Sequence, residues 1–156
     1  ICGHSMGGLV ALDMVTRHSY KASSLILVNS IYPTRVADAL LAKAKAGNGP
    51  AADFIIKYGL YKRLLGIKNA FSEKEDLVML DDLEACNNYQ LDLTELKNLE
   101  LPISIILGSK DKLVDLKAVE SFANVVPSKI HTIDEVGHFP FFEDPVELSK
   151  LISSLV

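Results

Sequence analysis

Apolar positions along this chain follow two rhythms. Leu9, Leu12 and Val15, with Val10 beside them, recur at helical spacing and predict a helix from about Met6 to His18. His18 would then sit at the helix C-terminus, where the helix dipole favours a cationic side chain. The unbroken run within Ser23–Ser30 instead has the look of a strand buried on both faces. Two more strands are predicted at Ile103–Leu107 and Lys129–Asp134, with a helix near Leu116–Val125 between them. His131 falls inside the second of these and reads as structural. In the closing helix, Leu148, Leu151, Ile152 and Leu155 lie at i, i+3, i+4 and i+7, a core-facing stripe. Its start is well marked, with Asp144 as N-cap, Pro145 as first helical residue and Glu147 completing a capping box.

The stretch Ile31–Leu101 breaks this alternation. It holds about seventy residues with no convincing strand and reads as helices near Thr34–Ala46, Ala51–Leu65 and Glu73–Tyr89, interrupted at Ala46–Pro50 by "AGNGP". A crossover between parallel strands needs only about a dozen residues, so most of this stretch is surplus to the connection. Strands alternating with helices place the chain in the α/β class, with residues 1–30 and 102–156 as the sheet-bearing part and 31–101 as an insertion.

Composition narrows the possibilities. Hydrophobic residues make up 49% of the chain, yet no apolar run approaches the ~18 residues of a membrane-spanning helix. A net charge of −4 argues against nucleic-acid binding as the main role. The two cysteines, Cys2 and Cys86, form neither a disulfide framework nor a metal-ligand cluster and read as reduced, partly buried thiols. No zinc or phosphate-loop spacing is present, so no metal or organic cofactor is expected. Charge is uneven along the chain. Residues 31–72 hold seven basic side chains (Arg35, Lys43, Lys45, Lys57, Lys62, Arg63, Lys68) against Asp38 and Asp53, while the remainder holds nine basic and eighteen acidic. This is either a solvated helix face or a basic approach surface for an anionic substrate or an acidic carrier protein.

The candidate chemistry lies at strand ends. At the start of the chain, Gly3-His4-Ser5-Met6-Gly7 joins a short apolar lead to the first helix. A strand turning sharply into a helix strains the turning residue, and small neighbours two positions either side avoid collisions there. Such an elbow would expose the Ser5 hydroxyl above the strand, with the helix N-terminus behind it and the Met6 N–H as an oxyanion donor. Asp111 follows the strand Ile103–Leu107 beyond Gly108, where open α/β sheets place their active sites. His138 follows Gly137 in the loop before the last helix. In chain order, Ser5, Asp111 and His138 supply a nucleophile, an orienting acid and a general base.

On the motifs GHSMGG (Gly3–Gly8), Gly108-Ser109-Lys110-Asp111 and Val136-Gly137-His138, the chain resembles the C-terminal part of an α/β-hydrolase of the esterase and lipase type. The resemblance spans essentially all 156 residues. It implies a catalytic triad of Ser5, Asp111 and His138, a parallel-stranded core with flanking helices, and a helical cap formed by 31–101. In that family the elbow follows the fifth strand, so the chain reads as a fragment lacking the early strands and the second oxyanion donor. The implied activity is hydrolysis of carboxylic esters through an acyl-enzyme, with thioesters, lactones, acylglycerols and vinylogous C–C bonds also open to the same triad. A ligand-binding receptor with little turnover is the reading from another class. Candidate substrate contacts are His4, Phe54, Tyr58, Tyr61 and Phe139. The apolar stretch Phe54–Gly66, Leu65 included, either lines an acyl pocket or packs on neighbouring helices. The substrate is expected to be a small-molecule or acyl ester, anionic or carrier-linked, and the location cytoplasmic.

Overall fold

Strands Cys2–His4 (β1), Leu25–Val28 (β2), Ile103–Gly108 (β3) and Lys129–Ile133 (β4) form one parallel sheet in the order β1-β2-β3-β4. The structure is a computed structural model that describes residues 1–156 except Ser19, Asn48, Arg63, 65–75 and Leu99. The register aligns Gly3 with Leu27, Leu27 with Ile105, and Ile106 with His131. Because every strand runs the same way, the segments leaving β1, β2, β3 and β4 all emerge at one end of the sheet. Ser5, Asn29, Asp111 and His138 lie on those four segments.

Burial on both faces explains why β2 is a continuous apolar run and β3 is apolar apart from the buried Ser104 and the closing Gly108. Leu25, Leu27, Ile103, Ile105 and Leu107 pack on one side with Leu12 and Val15 of α1 (Met6–Thr16) and Val119 and Phe122 of α6 (Leu116–Val125). The alternate positions Ile26, Val28 and Ile106 pack on the other with Ile133, Val136 and Leu148, the last from α8 (Pro145–Ser154). Each such side chain is worth about 1.5–3 kcal/mol when fully buried. The site therefore stands on strands that are buried on both faces.

Between β2 and β3 the chain forms α2 (Asp38–Ala46), α3 (Pro50–Gly59), α4 (Asp76–Asn88) and α5 (Leu93–Lys97). α2, α3 and α4 pack on one another, while α4 and α5 also reach α1. A short helix, α7 (Pro140–Glu143), precedes α8. Among the described residues, no helix is long and apolar enough to cross a membrane.

Several boundaries differ from the sequence reading for local reasons. α1 stops at Thr16, whose hydroxyl donates to Leu12 O; His18 lies beyond it, 3.2 Å from Asp13. β2 ends where Asn29 takes a left-handed φ of 43°. The helix expected from Thr34 begins at Asp38. The Thr34 hydroxyl bonds Ile31 O and the Val36 N–H bonds Asn87 Oδ1, which ties residues 34–37 into a non-helical path. α3 ends at Gly59 rather than Leu65. Leu65, Lys68 and the expected helix start at Glu73 lie outside the described residues.

Two short helices escaped the periodicity argument. α5, five residues long, is started by Asp92, which accepts from the Thr94 N–H. α7 occupies a stretch read as loop. It also halves the predicted capping box, since the Asp144 N–H donates to Pro140 O in α7 instead of to the Glu147 side chain. Asp144 still accepts from the Glu147 N–H at 3.1 Å. Both cysteines are free, but Cys2 is exposed and only Cys86 is buried.

Candidate active site

Ser5 has φ 51° and ψ −123°, a conformation that costs a non-glycine residue energy. Its amide donates to Val28 O and its carbonyl accepts from the Ser30 hydroxyl at 2.6 Å, so β2 and the turn after it hold the strained residue in place. Ser5 occupies the N-cap position of α1, yet its hydroxyl makes no capping bond and is free for chemistry. Met6 is the first residue of α1, where a helix leaves its N–H groups without intrahelical acceptors. The crowding differs from the sequence expectation. A Cβ on Gly3 would run into the Gly7 carbonyl, and one on Gly8 into the Ser30 side chain, whereas one on Gly7 would meet open space among the described residues. The small residues that the turn requires are thus Gly3 and Gly8.

Three side chains form a row. Ser5 Oγ lies 3.0 Å from His138 Nε2, and His138 Nδ1 lies 2.8 Å from Asp111 Oδ2. A carboxylate only accepts, so the ring proton belongs on Nδ1 and the bare Nε2 faces the serine hydroxyl. The other oxygen of Asp111 accepts from the N–H groups of Leu113 and Val114, which fixes the carboxylate's rotation. The His138 and Asp111 side chains are only 8% and 3% exposed, so this contact is screened little by solvent. Such a row can move a proton from Ser5 to His138 while Asp111 stabilises the cation formed.

The backbone around His138 is held from four directions. The Gly137 N–H donates to Glu143 Oε2 at 2.6 Å, and Gly137 O accepts from Asn29 Nδ2 at 2.9 Å. The His138 N–H donates to Gly59 O at 2.5 Å, and His138 O accepts from His4 Nε2 at 2.7 Å. The partners come from α7, the end of β2, the end of α3 and the Ser5 turn respectively. Asn29 does more, since its Oδ1 accepts from the Gly108 N–H at 2.8 Å and so joins the segments carrying Asp111 and His138. A Cβ on Gly108 would collide with the carbonyls of Val136 and Gly137, which lets these two segments touch backbone to backbone.

The residues expected to meet substrate are placed unevenly. His4 is largely buried, with its ring 4.9 Å from that of His138 and 4.9 Å from Phe141, and its Nε2 is spent on the His138 carbonyl. Burial, helped by the neighbouring His138, lowers its pKa from 6.5 to about 4, so it is a neutral donor near pH 7. Phe139 stands edge-on to His138 at 5.2 Å, and a Cβ on Gly59 would lie 2.7 Å from its ring. Phe54 and Tyr58 pack together and, with Lys43, Pro50, Asp53 and Lys57, line a depression of about 390 Å³ between α2 and α3. None of Ser5, Asp111 or His138 lines it. Tyr61 lies outside that depression and bonds α7 through its backbone, its N–H donating to Glu143 Oε1 at 2.9 Å while its half-exposed ring lies under Lys110. Asn29, Ser30, Gly59 and Glu143 went unremarked in the sequence, where an asparagine ending a strand or a glutamate in a short helix is commonplace. Among the described residues, no group of three or more His, Cys, Asp or Glu side chains could hold a metal ion.

Comparison with known proteins bears on the family and the fold. A family model described as the alpha/beta hydrolase family matches residues 1–151. The pimeloyl-[acyl-carrier protein] methyl ester esterase of Aromatoleum aromaticum is 29% identical, the alignment covering 100% of this chain and 73% of that protein. A thermophilic esterase superposes with a TM-score of 0.81 at 24% identity, over 98% of this chain and 63% of that one. An esterase from Exiguobacterium antarcticum gives the same TM-score at 18% identity, over 98% and 64%. The chain thus spans a little under two thirds of these solved structures.

Proposed function

We propose that this chain, which belongs to the alpha/beta hydrolase family, carries the nucleophile, base and acid of a serine esterase. One observation carries the reading: a serine held at positive φ on a helix N-terminus, in line with a buried histidine and carboxylate. Ser5 Oγ attacks the acyl carbon as its proton passes to His138 Nε2. The Met6 N–H, backed by the helix N-terminus, stabilises the oxyanion. The tetrahedral intermediate collapses by breaking the bond to the alkoxyl oxygen, which leaves with the proton from His138. Water then repeats the sequence on the acyl-enzyme, with His138 again as base, and releases the acid. Asp111 holds the Nδ1 tautomer throughout.

In this reading residues 1–30 and 102–156 are the catalytic core and α2–α5 the cap. The substrate is an ester whose acyl part is anionic or carried on an acidic protein. Two things support that choice. The Aromatoleum relative is named for a methyl ester on an acyl-carrier protein, and the exposed Lys43, Lys45 and Lys57 stand on α2 and α3. Exposed charges act on encounter and are screened beyond about 8 Å at physiological ionic strength. Changing these three lysines to Glu in the full-length protein should therefore lower kcat/KM for a carrier-linked ester several-fold at low salt, with the difference shrinking at high salt. A neutral short-chain ester should be turned over as before. Equal losses on both substrates would reject the electrostatic role.

A further inference from the structure

The carboxylate of Glu143 stands out among the buried groups that the proposed reaction leaves unused. The residue is only 8% exposed, and burying a charge is costly unless each oxygen is bonded. Here each oxygen has its own backbone donor, and the two donors lie 76 positions apart in the chain: Gly137 N–H at 2.6 Å and Tyr61 N–H at 2.9 Å. One donor precedes His138 directly. The other lies two residues past the end of α3, in the path leaving that helix.

Three further contacts tighten the same junction. The Lys62 ammonium donates to the Glu143 carbonyl at 3.2 Å, and the His138 N–H donates to Gly59 O. Gly137 has no room for a side chain, since a Cβ there would collide with Gly59 O and lie 2.9 Å from Tyr61 N. The α3 exit and the histidine loop thus touch backbone to backbone, with one carboxylate bonded to both. We propose that Glu143 is a positioning residue that links the setting of α3 to the setting of the His138 imidazole, so that a displaced α3 exit moves the base off line from Ser5. This inference rests on the serine-hydrolase reading. It adds that the segment expected to form the cap takes part in assembling the row.

The test uses the full-length protein. Glu143→Gln keeps the size but turns one acceptor into a donor, which must then face either the Gly137 or the Tyr61 N–H. Misplacing a catalytic group by about 1 Å can cost on the order of 10²-fold. The expected result is at least a tenfold loss in kcat on a short neutral ester, with KM changed less than threefold. The downfield proton resonance of His138 Nδ1–H, which reports its bond to Asp111, should shift or broaden.

A second perturbation approaches from the other side. Tyr61→Pro deletes the other N–H while leaving Glu143 intact, and Leu60 already has the extended conformation that a following proline demands. It should lower kcat in the same direction, and the double variant should lose little more than Glu143→Gln alone. Wild-type kcat and resonance in Glu143→Gln would overturn the proposal, as would fully multiplicative losses in the double variant. If Glu143→Gln does not fold, wild-type kcat in Tyr61→Pro overturns it and a loss of kcat with unchanged KM upholds it. Retained turnover in Ser5→Ala would dismiss the serine mechanism instead, and the His138 resonance would still judge Glu143.

Discussion

Asn29 offers the sharpest test of how the site is held together. It is 1% exposed, and its amide spans two loops by accepting from the Gly108 N–H and donating to the Gly137 carbonyl. Asn29→Ala would strand both backbone groups in a dry interior, at about 1–3 kcal/mol each. The residue also sits at φ 43°, a region Asn tolerates and Ala does not, which adds about 1 kcal/mol. The sum, about 3–7 kcal/mol, is comparable to the total stability of many domains, about 5–15 kcal/mol. Asn29→Asp perturbs the same bridge differently. It keeps the bond from Gly108 but buries a carboxylate oxygen against the Gly137 carbonyl, so it should also destabilise and should displace His138. Urea unfolding of the full-length protein followed by fluorescence, alongside ester turnover on the folded fraction, would measure both effects. An Asn29→Ala protein within 1 kcal/mol of wild type would refute the bridging argument. So would an Asn29→Asp protein with unchanged kcat.

Two further outcomes are expected. Gly8→Ala should destabilise and inactivate because its Cβ would strike the Ser30 side chain, whereas Gly7→Ala should be tolerated, as thermal melts and turnover of the pair would show. His4 predicts a pH effect. Its folded pKa of about 4 lies below the ordinary 6.5, so the unfolded chain takes up the proton first as pH falls. The stabilisation is full above pH 6.5 and is lost progressively toward pH 4. By pH 4.5 the loss should reach about 2–3 kcal/mol, and His4→Gln, which keeps an N–H for the His138 carbonyl but does not titrate, should lose correspondingly less in urea titrations at the two pH values.

Much of this architecture is legible in the order of residues. The runs at Leu25–Val28 and Ile103–Gly108 are apolar because both faces of the sheet are covered, and α6 and the start of α8 are written in spacing and capping residues. Ser5, Asp111 and His138 stand out because each closes a strand–turn pattern with a chemically apt side chain. What periodicity could not reveal are features fixed by distant partners. Thr34 and Val36 start no helix because Ile31 and Asn87 engage them. α3 stops at Gly59, where a Cβ would lie 2.7 Å from the Phe139 ring. Asn29 and Glu143 look ordinary in sequence because their partners lie 108 and 79 positions away for Asn29, and 6 and 82 for Glu143.

The central claim is that Ser5 is the nucleophile, activated by His138. Its most direct test is to rapid-quench the full-length protein during turnover of a short activated ester and identify the acylated residue by mass spectrometry. The account predicts a burst of alcohol release matched by acylation of the peptide containing Ser5, with the adduct on Ser5 itself. Neither should occur in Ser5→Ala, and His138→Ala should suppress the burst by several orders of magnitude. Undiminished turnover in Ser5→Ala, or an acyl group found on another residue in the wild type, would contradict it.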